Sequence, residues 1–457
     1  MSSLINADEA VAFEPSAAGL DAVRRIIGND DPYRADRETA LHRYQTLALP
    51  GPKPGRGWRH DYDRLAFQGL RWTTGATTVP TSPFDAIGAL MGSDDAGVPA
   101  LATENTAGVV HIGARAVRPA VARVLPNGVV VAPYAEARAG DPEPEYEKFL
   151  RPSIQAAIAT DRFAALAEAF VNCGAFVYVP PGLSLDKPIQ LVFATPEGND
   201  DAVFPRIVVI LGRGARATVI ERHVGSADAF ICGTVWATVE QDAQLEYVGA
   251  QQAGESARVF MYRHAACIGG TARFHVAELG GTLVRSVIEL DLETQGARGE
   301  TSALFFNTGF QHVDLSTTTN HVAGNTTADT VVRTAATDRG QGRFLGNIAI
   351  RAGAHGADAS LRDDALLLSK RAHIDSVPAL EIAANDVKAF HGATVGSLDA
   401  DALFYAQSRG IARADAVRMV ALAFFEPAIT RFPGETLRDE VRTALDHKID
   451  AATEIDG

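Results

Sequence analysis

The stretch ARFHVAEL at 272–279, followed after a short break by LVRSVIELDL at 283–292, indicates the fold class of this chain. Successive side chains of a strand point to opposite faces, so Phe274 and Val276 are expected to face inward. On the same strand, Arg273 and His275 are expected to face out. A period of two in segments rich in β-branched residues and bounded by glycine is typical of β-strands.

Similar runs recur from about residue 108 to residue 381, at a spacing of roughly 10–16 residues with almost no helical pattern between them. They predict an all-β body, interrupted by one helical segment near 144–170. Composition leaves a sandwich, a barrel and a solenoid open. The scarcity of Asn-Gly hairpin signals favours a solenoid, although no strict sequence repeat is found.

Both flanks of this body differ from it. Residues 1–105 are interpreted as an N-terminal helical region and linker, residues 106–385 as the β core, and residues 386–457 as a C-terminal helical domain. In the last of these, Asp399 can cap a helix. A stripe that includes Val417, Val420 and Phe425 then predicts an amphipathic helix. That stripe is either the core of the helical domain or a face that docks a partner.

Bulk properties narrow the classes of partner. The chain has 457 residues, a net charge of −14 and a pI of about 5.3, which argues against nucleic acid or an anionic membrane as partner. The first ten residues lack the features of a signal peptide, and no apolar run has the length of a transmembrane helix. Three cysteines do not make a disulfide framework. We therefore expect a soluble cytoplasmic protein.

Several catalytic and cofactor motifs are missing from the sequence. It contains no phosphate-binding Walker loop, no dinucleotide fingerprint, and no His-Glu-x-x-His, Cys-x-x-Cys or Gly-x-Ser-x-Gly sequence. Cys173, Cys232 and Cys267 lie far apart in or beside strands and are predicted to be buried and inert. The chain is thus expected to hold no complete iron–sulfur cluster alone and to hydrolyse no ATP.

The C-terminal part of the β region and the residues after it carry a specific set of blocks: LLLS at 366–369, PALEI at 378–382, DVK at 386–388, HGATVG at 391–396, LFY at 403–405 and SRGI at 408–411. Their order and spacing resemble the C-terminal signature of the SufB/SufD family. GAFVYVP at 174–180 and KPI at 187–189 are similar to the family's entry into its core, and Trp58-Arg59 matches more loosely. The resemblance covers about residues 105–430.

This resemblance implies a right-handed parallel β-helix core flanked by N-terminal and C-terminal α-helical domains. It also implies a non-catalytic scaffold that pairs with a SufB-like subunit and binds a SufC-type ATPase through its C-terminal helices. A transient iron–sulfur cluster would form at the interface of the two scaffold chains.

Within the family, the chain resembles the SufD type. SufB-like chains carry a cysteine in the matching C-terminal block, whereas no cysteine follows Cys267 in this sequence. SufD-like chains commonly read Lys-Cys-Ser-His-Gly, and this chain reads Lys388-Ala389-Phe390-His391-Gly392. The histidine is kept and the neighbouring thiol is missing.

His391 is the candidate cluster and metal ligand. A neutral imidazole suits iron and would supply one ligand to a cluster held otherwise by a partner's thiolate or carboxylate. Alternation places His391 on one face with Ala389 and Val387, away from Asp386 and Lys388. The alternative is a structural histidine at the end of the β body.

Other polar residues have simpler explanations. His312, Asp314 and Asn320 alternate onto one face, which a ladder of polar side chains explains without a metal. His264 and His275 are interpreted as strand-surface residues. Tyr405 and Arg409 are either functional or explained by capping and packing at a helix end.

Two further functions stay open at this point: a SufB/SufD-like homodimeric scaffold, and a carbohydrate-active β-helix enzyme. The enzyme would need a carboxylate pair on one solenoid face, for which the available residues are Glu221, Glu240, Asp242, Glu246 and Glu289.

Overall fold

The structure, a computed structural model of the chain, describes residues 10–27, 31, 34–49, 62, 65, 67–73, 108–117, 128–139, 161–195, 202–225 and 228–452. These residues are mostly β and form a parallel solenoid of about 7 turns with helices at both ends. The parallel β-helix with flanking helices is therefore confirmed. The Trp58-Arg59 pair, the linker predicted at 74–106 and residues 144–160 of the helical segment lie outside the described residues.

In chain order, the strands are β1 (Ala10–Ala12), β2 (Arg71–Thr73), β3 (Gly108–Ile112), β4 (Arg115–Val117), β5 (Val130–Pro133), β6 (Cys173–Val179), β7 (Ile189–Thr195), β8 (Ala202–Val203), β9 (Pro205–Leu211), β10 (Arg216–Gly225), β11 (Phe230–Val239), β12 (Gln244–Gln252), β13 (Arg258–Cys267), β14 (Thr271–Glu278), β15 (Leu283–Leu292), β16 (Arg298–Asn307), β17 (His312–His321), β18 (Thr327–Ala336), β19 (Gln341–Ile350), β20 (Asp358–Leu367), β21 (His373–Ile382) and β22 (Lys388–Ser397).

The described helices are α1 (Ala17–Ile27), α2 (Arg34–Thr46), α3 (Tyr134–Ala139), α4 (Arg162–Phe170), α5 (Ala400–Ser408), α6 (Arg413–Ile429) and α7 (Glu435–Ala451). None of them has the length and apolar character that crossing a bilayer requires.

Two long sheets enclose the solenoid interior, and consecutive strands along the chain alternate between them. Sheet 1 has the order β22-β20-β18-β16-β14-β12-β10-β7-β3-β4, and sheet 2 has the order β21-β19-β17-β15-β13-β11-β9-β6-β5. The strands pair in parallel along both orders except at β3–β4 and β5–β6, which are antiparallel. Each residue thus lies beside its counterpart in the next turn of the solenoid.

Alternation along each strand explains the core. Phe274 and Val276 of β14 are fully buried in the interior, as the sequence predicts. Arg273 faces outward, where its guanidinium donates to Glu246 and Glu300, the residues beside it in β12 and β16, each at 2.9 Å. His275 also faces outward but is only 2% exposed. It is therefore a covered residue, and its prediction as a surface residue is wrong.

A left-handed residue recurs at one corner of the solenoid. Seven residues with φ between 54° and 83° follow one another every 27 to 32 positions: Gly182, Gly214, Asp242, Gly269, Gly296, Asn325 and Gly356. Glycine, asparagine and aspartate are the residue types that tolerate this backbone region best. Backbone bonds link consecutive corners, including Asn325 N to His355 O at 2.8 Å. This conformational repeat exists although the side chains do not repeat.

The N-terminal segment and α4 cover the outer face of sheet 2. Phe13 and Trp72 pack with Phe170 of α4 and with Phe204 and Phe230 of the sheet. The Trp72 indole donates to the carbonyl of Phe170 at 2.7 Å. Burial of these aromatic rings fixes the segment on the solenoid.

Helices α5, α6 and α7 cover part of the outer face of sheet 1. Phe425 of α6 packs on Phe306 of β16, and Phe432 lies over His275 with ring centroids 5.4 Å apart. Sheet 1 itself continues through Ser397, because β22 pairs with β20 along its whole length. The solenoid thus extends twelve residues beyond residue 385, where the sequence analysis ended the core.

Candidate functional site at the open end of the solenoid

The last turn of the solenoid, β20 to β22, ends in two strand edges, and we call it the open end. Within the described residues, β21 and β22 each have a strand neighbour on one side only. Four large apolar side chains lie there with 41% to 51% of their surface exposed: Val377, Ile382, Phe390 and Val395. Long apolar edge strands offer unpaired backbone groups to another chain, so proteins usually cover them.

His391 lies on β22 beside Leu361 of β20. Val387 and Ala389 pack against the solenoid core, whereas Lys388 is exposed, so the imidazole belongs to the inward face. Alternation predicts that His391 shares a face with Val387 and Ala389, and the structure shows that this face points inward. Its Nδ1 atom is buried and has no hydrogen-bond partner among the described residues.

Asp363 is a polar residue of the open end that the sequence analysis missed. It lies on β20 beside Ala393, faces inward and is 0% exposed. The Ser376 hydroxyl of β21 donates to Oδ2, while Oδ1 is buried and has no hydrogen-bond partner within the described ranges. Burial raises the pKa of the Asp363 carboxyl to about 7, and the charge of Asp364 acts in the same direction.

A signal for Asp363 is present in the sequence. Leu361, Asp363 and Ala365 have the same parity on one strand, which places a carboxylate in a row of apolar inward residues. A charge in such a row is a functional candidate because burying it unpaired is costly.

The three cysteines lie away from the open end, on β6, β11 and β13. All are buried, as predicted. Burial raises the pKa of Cys267 to about 12 and that of Cys232 well above its ordinary value. Thiolate is the form that binds metals. Over the described ranges, no group of three or more His, Cys, Asp or Glu residues is placed to hold a metal ion.

The first half of the interior contains an ion-pair network. Arg263 Nε donates to Glu221 at 2.9 Å, Tyr247 OH donates to the same carboxylate at 2.8 Å, and His223 Nε2 lies 2.6 Å from it. Arg263 also contacts Glu278 at 3.2 Å. Burial alone would raise the pKa of Glu221, but Arg263 and His223 lower it to about 2.

Three of the carboxylates considered for a glycosidase, Glu221, Glu246 and Glu289, lie on different faces of the solenoid and do not form an acid–base pair with one another. Glu221 is inside the solenoid with a lowered pKa, so it is a poor general acid. Glu246 is paired outside the solenoid with Arg273 and His275. Glu289 lies on the outer face of sheet 2, where it accepts from Asn320 at 2.9 Å. This arrangement does not favour the carbohydrate-active alternative.

The remaining polar candidates form separate clusters on the outer face of sheet 2. Asp314 accepts from Tyr62 at 2.8 Å and pairs with Arg343. Asn320 donates instead to the carboxylates of Glu289 and Asp291. Hydrogen bonds and an ion pair to neighbouring side chains thus engage both Asp314 and Asn320.

The apolar stripe of α6 lies mainly in the core. Val417, Ala421 and Phe425 are buried against the outer face of sheet 1. Of the two interpretations that the sequence left open, the helical core is the one that the contacts favour. The large apolar side chains exposed on these helices are Phe404, Tyr405 and Met419.

Over the described residues, these features define a β-solenoid protein with one end covered by antiparallel strands and the other ending in two strand edges without an outer neighbour. Family comparison then identifies the group. Residues 193–424 match the SufBD core domain of the SUF system for iron–sulfur cluster assembly, and residues 91–191 match the SufBD N-terminal region. The chain therefore belongs to the SufBD family of iron–sulfur cluster assembly proteins.

Individual relatives agree with this assignment. A SufBD family protein of Mycobacterium leprae is 28% identical over 274 residues, which cover 59% of this chain and 31% of the relative. One of Staphylococcus saprophyticus is 28% identical over 281 residues, or 61% and 60% of the two chains. The iron–sulfur cluster assembly protein SufD of Bacillus subtilis is 26% identical over 295 residues, or 63% and 67%. The match to the first two relatives thus spans about one third and three fifths of their length.

Proposed function

We propose that this chain is a SufD-type, non-catalytic scaffold subunit in the cytoplasm. Its open end pairs with a SufB-like chain, and His391 supplies one ligand to a transient iron–sulfur cluster at that interface. A SufC-type ATPase binds the C-terminal helices. The cluster is the cargo of the assembly, because the chain offers too few ligands in its described part to hold it alone.

The observation that carries this proposal is the position of His391. Its imidazole lies on the last strand of the solenoid, next to an edge that offers backbone groups for pairing, and its Nδ1 has no hydrogen-bond partner in the described part of the chain. Buried polar atoms are normally paired, since leaving one unpaired costs about 1–3 kcal/mol. An interfacial ligand removes that cost when the partner binds.

The absence of cysteine after Cys267 supports the SufD-type role. Thiolates provide most ligands of iron–sulfur clusters, so the sulfur ligands at the interface come from the other chain. The proposed scaffold is therefore a pair of two different chains, one that supplies thiolates and this one, which supplies a histidine. A homodimer through two open ends would bring together two histidines and no C-terminal thiol.

The surface proposed to bind the ATPase is the exposed group Phe404, Tyr405 and Met419 on α5 and α6. Their side chains are 72%, 61% and 55% exposed. Arg409 stacks over the Tyr405 ring at 5.1 Å and holds it in place. Large apolar side chains that stay exposed on a surface are candidates for interaction sites.

Co-purification of the chain with a SufB-like chain and a SufC-type ATPase, followed by anaerobic analysis of iron and acid-labile sulfide, tests the proposal. His391→Ala is expected to leave assembly of the three proteins intact and to reduce cluster content several-fold. Unchanged iron and sulfide in this variant would contradict the ligand role. Assembly of the chain with itself alone, with cluster formation, would favour the homodimer.

Phe404→Glu with Met419→Glu tests the ATPase surface separately. Both side chains are mostly exposed, so the solenoid is expected to stay folded while ATPase binding is lost. Full retention of the ATPase by this double variant would place its binding surface elsewhere.

A further inference from the structure

The interior of the open end contains a buried carboxylate, Asp363, near His391. Asp363 and His391 both face inward on neighbouring strands: Leu361 lies beside His391, and Asp363 lies beside Ala393, two positions further along. Residues in this diagonal relation lie about 7–8 Å apart, and their Cβ atoms are somewhat closer. Asp363 and His391 are thus diagonal neighbours on one face, and the residue beside Asp363 on β22 is only an alanine.

Each of these two side chains has one buried polar atom without a hydrogen-bond partner in the described part of the chain. These are Oδ1 of Asp363 and Nδ1 of His391. The other carboxylate oxygen, Oδ2, accepts from Ser376 across the interior. Because this bond comes from sheet 2, it orients the carboxylate from the opposite wall, as hydrogen bonds to metal ligands commonly do.

We infer that Asp363 and His391 form a half-site for a divalent transition-metal ion, ferrous iron in the proposed assembly, with Ser376 as the positioning residue. A carboxylate together with an imidazole suits such ions, and the remaining positions are left to water or to a partner's ligands. Ligand bonds of about 2.0–2.2 Å from each side bridge side chains at this separation. The inference deepens the proposed role of His391 and rests on it for the identity of the metal.

The test uses the isolated full chain under anaerobic conditions, with Co²⁺ as the probe, followed by calorimetry and by the visible absorption of the bound ion. The wild type is expected to bind one Co²⁺ per chain. Asp363→Asn and His391→Ala are each expected to weaken Co²⁺ binding at least tenfold. The double variant is expected to bind Co²⁺ no more weakly than the single variant with the larger loss. Ser376→Ala is expected to weaken binding by a smaller factor.

Asp364→Asn is the matched control on the same strand. This neighbouring carboxylate faces outward, pairs with Arg333 and accepts from Thr394, so its loss is expected to leave Co²⁺ affinity within twofold. Asp363→Asn keeps the shape of the side chain and an acceptor for Ser376. If Asp363→Asn fails to fold, the Co²⁺ affinities of His391→Ala and Ser376→Ala are compared with that of Asp364→Asn instead.

Absence of Co²⁺ binding by the wild type, or equal binding by Asp363→Asn, would overturn the inference and leave a bridging water as the explanation of the two unpaired atoms. The proposed function is judged separately by assembly with the partner chains. Co²⁺ binding without such assembly would refute the scaffold role alone. A normal cluster-loaded assembly with an unaffected Asp363→Asn variant would refute only the half-site.

Discussion

At the first turn of the solenoid, antiparallel strands β4 and β5 lie outside β3 and β6, and all four residues of β5 are buried. At the last turn, β21 and β22 have no such cover in the described part of the chain, and Phe390 is 51% exposed. Both ends belong to the same two sheets. The difference is that one end is closed by antiparallel strands, whereas the other exposes apolar side chains on strands without an outer neighbour in the described residues, as the proposed pairing requires.

The polar side chains of the interior also differ between the two ends. Toward the first turn, Glu221 and Arg263 are fully buried and compensate each other's charge. Toward the last turn, Asp363 and His391 each keep an unpaired polar atom among the described residues. A buried ion pair resists removal of either partner, while an unpaired polar atom is available for a ligand. Four variants test this contrast.

Arg263→Met is expected to have the largest effect on stability. It leaves the carboxylates of Glu221 and Glu278 buried without their cation, which typically costs about 3–5 kcal/mol. Urea unfolding followed by fluorescence measures the loss. Arg418→Met, which removes an exposed partner of Asp446 on α7, is the control and is expected to change little. Equal losses in the two variants would contradict the role given to the network.

His111→Gln tests whether the first turn is sensitive to acid. His111 stacks on Phe193 in the buried first turn, and burial lowers its pKa to about 4 from 6.5. Between these two values the unfolded chain binds the extra proton, so stability is complete above pH 6.5 and is lost as the pH falls toward 4. A shift of this size corresponds to about 3 kcal/mol.

The wild type is therefore expected to lose about 2–3 kcal/mol more than His111→Gln between about pH 7 and pH 4.5 in urea unfolding. His447→Gln, which changes a histidine of α7, is the control and should keep the wild-type pH dependence. If the free energy of unfolding of His111→Gln fell with pH as steeply as that of the wild type, protonation of His111 would not be the cause of the acid sensitivity.

Phe390→Asp tests the open end as an interface. It places a charge among the apolar edge residues and is expected to weaken pairing with the SufB-like chain about 30-fold, or about 2 kcal/mol. Size-exclusion chromatography with light scattering measures the pairing. Phe310→Asp changes a phenylalanine that is 76% exposed on the turn between β16 and β17, and it is expected to leave pairing intact. Weakened pairing in both variants would point to a general effect of charge.

His391→Ala is expected to have the smallest effect on stability of the isolated chain, below about 1 kcal/mol, because its Nδ1 makes no hydrogen bond in the described part of the chain. Thermal unfolding measures this. A loss as large as that of Arg263→Met would identify His391 as a structural histidine, the alternative that the sequence left open.

The β class, the strand segments and the face that His391 shares with Val387 and Ala389 follow from the sequence because they depend on local alternation. Phe274 and Val276 are buried where a period of two places them. Asp363 could have been found by the same rule, since it shares its parity with Leu361. The seven left-handed corners were a further signal of the solenoid. This signal is a recurring residue type that tolerates a positive φ, and not a recurring identical residue.

What the sequence by itself determined is thus the type of each segment and the face of each side chain, because these depend on residues close together in the chain. Only the tertiary structure decided which surfaces are covered. His275 and Phe425 are buried because helices from residues 400–451 pack on sheet 1, while Phe390 stays exposed. Burial of this kind depends on contacts between residues distant in sequence, and a local pattern carries no information about them.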